Sequence, residues 1–363
     1  MKTERIIINP NPIGGLTEEY LMEHLESAAE YIKNGEVVAF PTETVYGLGA
    51  DAYNVEACKN IFKVKGRPSD NPLIVHIASR EEVNLLTSLW TEKAEICANN
   101  FWPGPLTLIL PKSDKVPREV SGGLETVAIR MPSHPVAVAL IKKAGCPIAA
   151  PSANLSGKPS PTEGEHVWRD LAGRVPLIID MGKCDIGLES TVLDLTGKIP
   201  IILRPGGITK EELEAVLGNV ELDKAIGIVN TENGGTDTFI PKSPGMKYRH
   251  YAPEGQIFIF SRGKLEEEMV SQNIYGDVAR RIAVLCTNET EKKMNEELKN
   301  RLDYLYVLGS GERPREVAAN LFEALRLCDE NKIDIIFAEG IDERGIGLAV
   351  MNRLKKAAGK NKA

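Results

Sequence analysis

VVAFPTETVYGLGADAYNVEACKNIFKVKGRPSDNPLIVHI, residues 37–77, runs through an apolar segment, a polar loop, a helical stretch and a second apolar segment. Val37–Phe40 is a short apolar run stopped by Pro41, which predicts a strand. Asn54 is placed to cap a helix reaching about Val64. Leu73–Ile77 predicts the next strand. The loop between, PTETVY, sets Thr42, Glu43, Thr44 and Tyr46 at the carboxyl end of the first strand, where open α/β sheets hold their ligands. Strand, helix and strand within about forty residues put the chain in the α/β class.

Working outward, the same alternation continues. Leu21, Leu25, Ala28, Ala29 and Ile32 have helical spacing across Thr17–Asn34, and Gly35 supplies a stop. Ser79 with Glu82, and Thr209 with Glu212, are capping boxes that open helices. Strands are expected at Leu106–Leu110, Val127–Arg130, Pro147–Ala150, Leu177–Asp180, Thr191–Leu195 and Ile199–Leu203. Residues 1–218 therefore read as one domain, a mixed sheet with helices. Periodicity is lost over 219–254, which ends in SPGMKYRHYAP and reads either as a linker or as a functional loop whose Tyr248, Arg249, His250 and Tyr251 could cover a bound ligand. From 255 to 363, strands at Gln256–Phe260, Ile282–Cys286, Tyr304–Leu308 and Ile333–Ala338 alternate with helical stretches. That pattern predicts a smaller, Rossmann-like parallel α/β domain.

Composition narrows the function. The 363 residues are 42% hydrophobic and 26% charged, an ordinary globular balance. No apolar run is long enough to span a membrane. No leader pattern opens the chain, so a cytoplasmic location is expected. The six cysteines are scattered, none in a zinc-ligand spacing, so no protein-bound zinc is expected. Net charge is −7, and the eighteen basic and eighteen acidic residues from Gly255 onward cancel. The chain is no general polyanion binder, although a local groove for weak RNA binding stays open.

The chemistry-bearing residues cluster at strand ends. Gly47-Leu48-Gly49-Ala50-Asp51-Ala52 fits a relaxed dinucleotide fingerprint, but it stands six residues from the strand that should feed it. A tight glycine turn is the better reading. Lys63, Lys65 and Arg67 lead into a Gly-Arg-Pro turn and Asn71, a combination suited to polyphosphate or to a solvated basic loop. His76 lies inside an apolar strand, which alone suggests a satisfied core histidine. Arg130 ends a strand. Pro151-Ser152-Ala153-Asn154-Leu155-Ser156-Gly157 follows another, and Glu189-Ser190-Thr191 and Arg204-Pro205-Gly206 repeat the style. There is no P-loop, and nothing pairs a nucleophile with a base.

PTETVYGLGA, KVKGRPSDNPLIVH, AIRMP, APSANLSG, STV and RPG, in that order over about residues 17–217, resemble the threonylcarbamoyl-AMP synthase family, the YrdC-like proteins that begin tRNA threonylcarbamoylation. SPGMKYRHYAP and the C-terminal α/β domain resemble the family's long, two-domain form. The resemblance implies a YrdC-like twisted mixed sheet. It implies a reaction in which L-threonine, bicarbonate and ATP give L-threonylcarbamoyl-AMP and pyrophosphate, with Mg2+ accompanying the ATP. A tRNA-threonylcarbamoylation complex would accept the product. It further implies that Thr44, His76, Arg130, Ser190 and the Ala150 backbone hold threonine. Arg67, Asn71, Thr126, Ser152, Ser160, Arg204 and Tyr251 would hold ATP, with Lys65 and Arg67 as charge stabilisers and no covalent catalytic residue. Two other readings compete: a double-stranded RNA-binding module and a carbamoyl-transfer domain.

Overall fold

The computed structural model describes residues 1–226, 251–272 and 280–359. These form two compact units. One is Met1–Ser156 with Ser160–Ile226, and the other is Gly157–Pro159 with the described residues from Tyr251 onward. Most of the expected linker, with Tyr248, Arg249 and His250, lies outside the described residues.

The first unit is built on an eleven-stranded mixed sheet. Its strands are β1 (Glu4–Ile7), β2 (Val38–Phe40), β3 (Gly47–Asp51), β4 (Ile74–His76), β5 (Leu106–Pro111), β6 (Thr126–Arg130), β7 (Ile148–Ala150), β8 (Leu177–Asp180), β9 (Thr191–Asp194), β10 (Ile201–Arg204) and β11 (Glu221–Leu222). Across the sheet they run β1-β8-β2-β3-β7-β4-β6-β5-β9-β10-β11. β2 folds straight back into β3 as an antiparallel pair, while β4 reaches its parallel neighbour β6 only through intervening helices and β5. Short returns and long crossovers together make the sheet mixed.

Four local readings change. Residues 47–51 are not a turn but strand β3, and their glycines have a packing cause. A methyl group on Gly49 would lie 2.5 Å from Ile148 Cγ2 and 2.6 Å from Phe40 Cε1, and one on Gly47 would lie 3.2 Å from Phe40 Cζ. Residues two apart share a strand face, so the pair leaves bare backbone for the Phe40 ring. The helix expected over 17–34 forms as Glu18–His24 and Glu26–Lys33, bent at buried Leu25. Leu25 N–H still donates to Leu21 and Ala29 N–H to Leu25, so the ladder continues through the bend. β1 was missed altogether. Its four residues carry two charges and an exposed Ile7, and its order comes from distant partners: Arg5 on Asp180 and Thr3 Oγ1 on the Val175 carbonyl at 2.6 Å. Both capping-box carboxylates are in place, with Glu82 accepting from Ser79 N–H and Glu212 from Thr209 N–H. Residues 221–222, read as the start of the linker, pair with β10 as β11.

Period-two alternation sorts the strands onto two faces. Val75, Leu108, Val127, Ile129 and Leu193 enter the main core. On the opposite face Ile74, Ile109, Ala128, Val192 and Leu203 make a separate apolar floor. Helices 18–33 and Pro135–Ala144 cover the other half of that second face, against Phe40, Ile148, Ala150, Leu177 and Ile179.

The second unit is a four-stranded parallel sheet of β12 (Gln256–Phe260), β13 (Ile282–Thr287), β14 (Tyr304–Gly309) and β15 (Ile335–Glu339), ordered β12-β15-β13-β14. Helices Pro314–Glu330 and Gly347–Ala358 pack on it. The expected α/β class, a large mixed sheet with a smaller parallel one, is what the chain adopts.

Candidate active site

Arg130 ends β6 and is 3% exposed. Its cross-strand neighbours are His76 on β4 and Thr107 on β5. Three polar side chains thus stand in a row beside the Ala128 floor. The guanidinium donates through Nε to the Gly104 carbonyl at 3.3 Å and through Nη1 to Thr44 Oγ1 at 2.9 Å. Its Nη2 forms an ion pair with Glu43 Oε1 at 2.7 Å. The hydroxyl directions follow from the inventory of donors. Thr42 spends its one proton on the Val45 carbonyl at 2.6 Å, so the 2.8 Å contact between Thr42 and Thr44 is donated by Thr44. Toward a ligand, Thr44 therefore offers a lone pair.

Burial opposes the charge of Glu43, but Arg130 beside it holds the carboxyl below the ordinary carboxylate range. His76 is pushed down to about 3, first by burial and then by the Arg130 charge. Its Nδ1 lies 3.1 Å from the Ile74 carbonyl, and Phe40 meets the ring edge-on. The ring is neutral at pH 7. Both depressed values act in the same direction. Below the ordinary histidine value of 6.5 the unfolded chain takes up a proton that folded His76 refuses, so stability falls with pH down to about 3. At pH 5 this costs about 2 kcal/mol. Urea midpoints between pH 7 and pH 5 should show the fall, and His76→Asn should flatten it.

Ser190 continues the row. Its Oγ meets Thr107 Oγ1 at 2.8 Å and accepts from Arg204 Nη2 at 3.0 Å, while Arg204 Nε donates to the Ser190 carbonyl. Ser160 donates to Glu189, the neighbour of Ser190, at 2.6 Å. Thr44, His76, Arg130, Ser190, Arg204 and Ser160 are thereby joined through hydrogen bonds, strand pairing or chain neighbours. A second group centres on Lys65. Lys65, at the end of helix Val55–Lys65, is buried and donates to the Ser152 carbonyl, the Asn154 carbonyl at 2.6 Å and Asn154 Oδ1 at 3.3 Å. Its ammonium faces the Ser152 loop. Arg67 and Asn71 lie on the loop leading into β4, and Thr126 opens β6 at the opposite end from Arg130. Asn71 is fully buried, with neither polar side-chain atom hydrogen-bonded. Ala150 pairs with Ile74 on β4. Tyr251 belongs to the second unit. It is buried there at φ 65°, stacked on Phe322, with the Arg353 guanidinium 5.8 Å from its ring centre.

Residues 30–206 match the Sua5/yciO/yrdC family model, described as telomere recombination. Residues 208–359 match the model described as threonylcarbamoyl-AMP synthase, C-terminal domain. Threonylcarbamoyl-AMP synthase of Bacillus subtilis is 49% identical over 362 residues, 99% of each chain. The chain belongs to the threonylcarbamoyl-AMP synthase family. The synthase of Pyrococcus abyssi is 48% identical over 92% of this chain and 93% of its own. The crystal structure of P. abyssi Sua5 complexed with L-threonine superposes with a TM-score of 0.85 at 44% identity, covering 100% of this chain and 99% of that one.

As a member of the threonylcarbamoyl-AMP synthase family, the chain carries partners to its motif residues that motif reading passes over. Glu43 was noted only as a carboxylate in a loop, and its pairing with Arg130 links motifs 87 positions apart, which spacing cannot reveal. Thr107 had a signal, a hydroxyl inside the otherwise apolar LTLIL strand. Tyr46 was grouped with the loop's polar residues, but its hydroxyl turns to Asp180 and the Gly182 carbonyl, and burial raises its pKa strongly. Burial also pushes the Cys58, Cys97, Cys286 and Cys328 thiols up to about 12, so none is a thiolate at neutral pH. Among the described residues no cluster of three or more His, Cys, Asp or Glu could hold a metal ion, and no helix is long and apolar enough to cross a membrane.

Proposed function

We propose that this chain is an L-threonylcarbamoyladenylate synthase. It converts L-threonine, bicarbonate and ATP into L-threonylcarbamoyl-AMP and pyrophosphate, the first step of tRNA N6-threonylcarbamoyladenosine formation. The threonine nitrogen takes up CO2 derived from bicarbonate. The resulting carbamate oxygen attacks the α-phosphorus of ATP and pyrophosphate leaves. The nucleophile belongs to the substrate, so the protein supplies position and positive charge rather than a covalent residue.

The observation that carries this reading is the Arg130 row beside an apolar floor. A buried guanidinium, steadied by Gly104 and Thr44, suits a substrate carboxylate. Thr44, neutral His76 and Ser190, with the Ala150 backbone, complete the threonine pocket. Arg67, Asn71, Thr126, Ser152, Ser160 and Arg204 serve ATP, Arg67 as a charge stabiliser, with Lys65 holding the Ser152 loop. Mg2+ enters with ATP as part of that substrate. A tRNA-threonylcarbamoylation complex takes the product.

Pyrophosphate release, with threonine and bicarbonate each added or omitted, tests the reaction. Release that needs both, with a threonine-dependent AMP adduct by mass spectrometry, is the expected result. Release indifferent to threonine would sink the proposal. Asn71 allows a sharper check of the nucleotide side. Its side chain makes no hydrogen bond in the fold, so Asn71→Ala should leave the melting temperature within a few degrees. ATP affinity should fall about tenfold, the value of one or two ligand hydrogen bonds.

A further inference from the structure

Ser190 is held from three directions, and only its proton is left to be set. Gly206 packs against its backbone, where a methyl group would lie 2.5 Å from the Ser190 carbonyl carbon. The next residue, Thr191, donates its N–H to the Pro105 carbonyl at 3.0 Å, which ties this stretch to the head of β5. Arg204 clamps both the Ser190 carbonyl and its Oγ, each at 3.0 Å. The last neighbour is Thr107, fully buried on β5, with its Oγ1 2.8 Å from Ser190 Oγ. Among the described residues, the Thr107 hydroxyl makes no other hydrogen bond.

We infer that Thr107 is a positioning residue of the threonine pocket: it donates its proton to Ser190 and so leaves the Ser190 proton free to donate to the substrate. The inference rests on the threonine reading proposed above. A hydroxyl has one proton and two lone pairs. Arg204 takes one lone pair of Ser190. With Thr107 donating, the second is taken too, and the proton is all that the Ser190 oxygen has left to offer. With Ser190 donating instead, the spare proton would sit on Thr107, inside β5, with no acceptor among the described residues. The first arrangement fills the Ser190 oxygen and spends its proton on a carboxylate, which accepts protons and offers none. Arg204 adds to this, since a hydroxyl that accepts from a cation is the stronger donor onward. Thr44 and Ser190 then present opposite polarities, Thr44 a lone pair and Ser190 a proton. An amino acid carries both an ammonium donor and carboxylate acceptors, and matches that pair.

The test uses the full chain, with calorimetric titrations of L-threonine and steady-state pyrophosphate release. Thr107→Val keeps the shape of the side chain and removes the hydroxyl. The threonine Kd and KM should rise about three- to tenfold, the worth of one hydrogen bond, while the KM for ATP and the melting temperature hold. Thr107→Ser returns the proton and should restore threonine affinity. In a Ser190→Ala background Thr107→Val should add less than about twofold, because the hydroxyl it served is gone. A full further loss there would mean that Thr107 acts through Arg130, its register partner, and overturns the inference. Threonine bound by Thr107→Val as tightly as by wild type, or more tightly, would show the proton running from Ser190 to Thr107 and overturns it as well. Should Thr107→Val not fold, Thr107→Ala removes the same hydroxyl and carries the same readings. If wild-type protein binds no threonine at all, the synthase reading itself fails. Wild-type threonine binding with an unaffected Thr107→Val removes only the inference.

Discussion

Arg130→Ala is expected to lower stability by about 3–5 kcal/mol and to abolish threonine-dependent pyrophosphate release. The large figure does not reflect a strong bond lost. It reflects what is left behind, because Glu43 would remain as a buried carboxylate with its cation gone. The sign with pH follows. With Arg130 present the Glu43 carboxyl is held below its usual range, so the pair stabilises the fold above that range and is lost as pH falls. Without Arg130, burial is the largest influence left and drives the carboxyl upward against the Glu43 and Ser133 backbone donors. The variant should then recover part of its deficit on going from pH 7 to pH 5, because protonation discharges Glu43. Urea titrations at the two pH values measure this. The double variant Arg130→Met with Glu43→Gln should regain most of the stability and none of the activity. A double variant as unstable as Arg130→Ala would show that the stranded charge is not the cause.

Lys65→Ala carries the second large effect. Three oxygens of residues 152–154 converge on the ammonium, and a hydrogen bond to a charged group is worth about 1.5–3 kcal/mol. Losing them should cost at least about 3 kcal/mol and free the Ser152 loop, so that ATP affinity falls together with the melting temperature. Lys65→Arg should not rescue it, because a planar fork does not match three acceptors gathered around one point. The opposite result, an unchanged melting temperature with ATP affinity lost, would return Lys65 to the role its motif suggests, a direct phosphate cation. Melting curves and ATP titrations on the same samples separate the two.

The strands and the helix caps were legible in the chain because their causes are local. Val37–Phe40, Leu73–Ile77 and the alternating residues of β6 carry their burial pattern in their own spelling, as do the capping boxes at Ser79 and Thr209. β1 was not legible, since its order comes from Arg5 and Thr3 reaching residues far along the chain. Nor was β3, whose glycines look like a turn until the Phe40 ring is set against them. The site divides in the same way. Arg130, Thr44 and His76 announce themselves by motif, and strand pairing puts His76 beside Arg130. Which way the Thr44 proton points, and that Glu43 shares the guanidinium, depend on contacts between segments that no spacing encodes. Lys65 adds a contact that its motif does not spell out, since its ammonium lies against the backbone of another loop.

Among the described residues, β1 joins the sheet only through β8, with Glu4 set against Leu177. Roughly 170 residues separate the two partners. At a synthesis rate of about 5–20 residues per second, the first strand waits roughly 10–35 s on the ribosome before its neighbour exists. Over that interval β2, β3 and β4 and the helices between them can already settle, while the leading strand stays unpaired and its Ile6 and Ile8 stay uncovered. The N-terminal strand therefore pairs only after β2 to β7 have all been made, with β9, β10 and β11 still to follow. Docking it fastens the oldest strand of the unit to the eighth one made, across most of the chain already laid down between them.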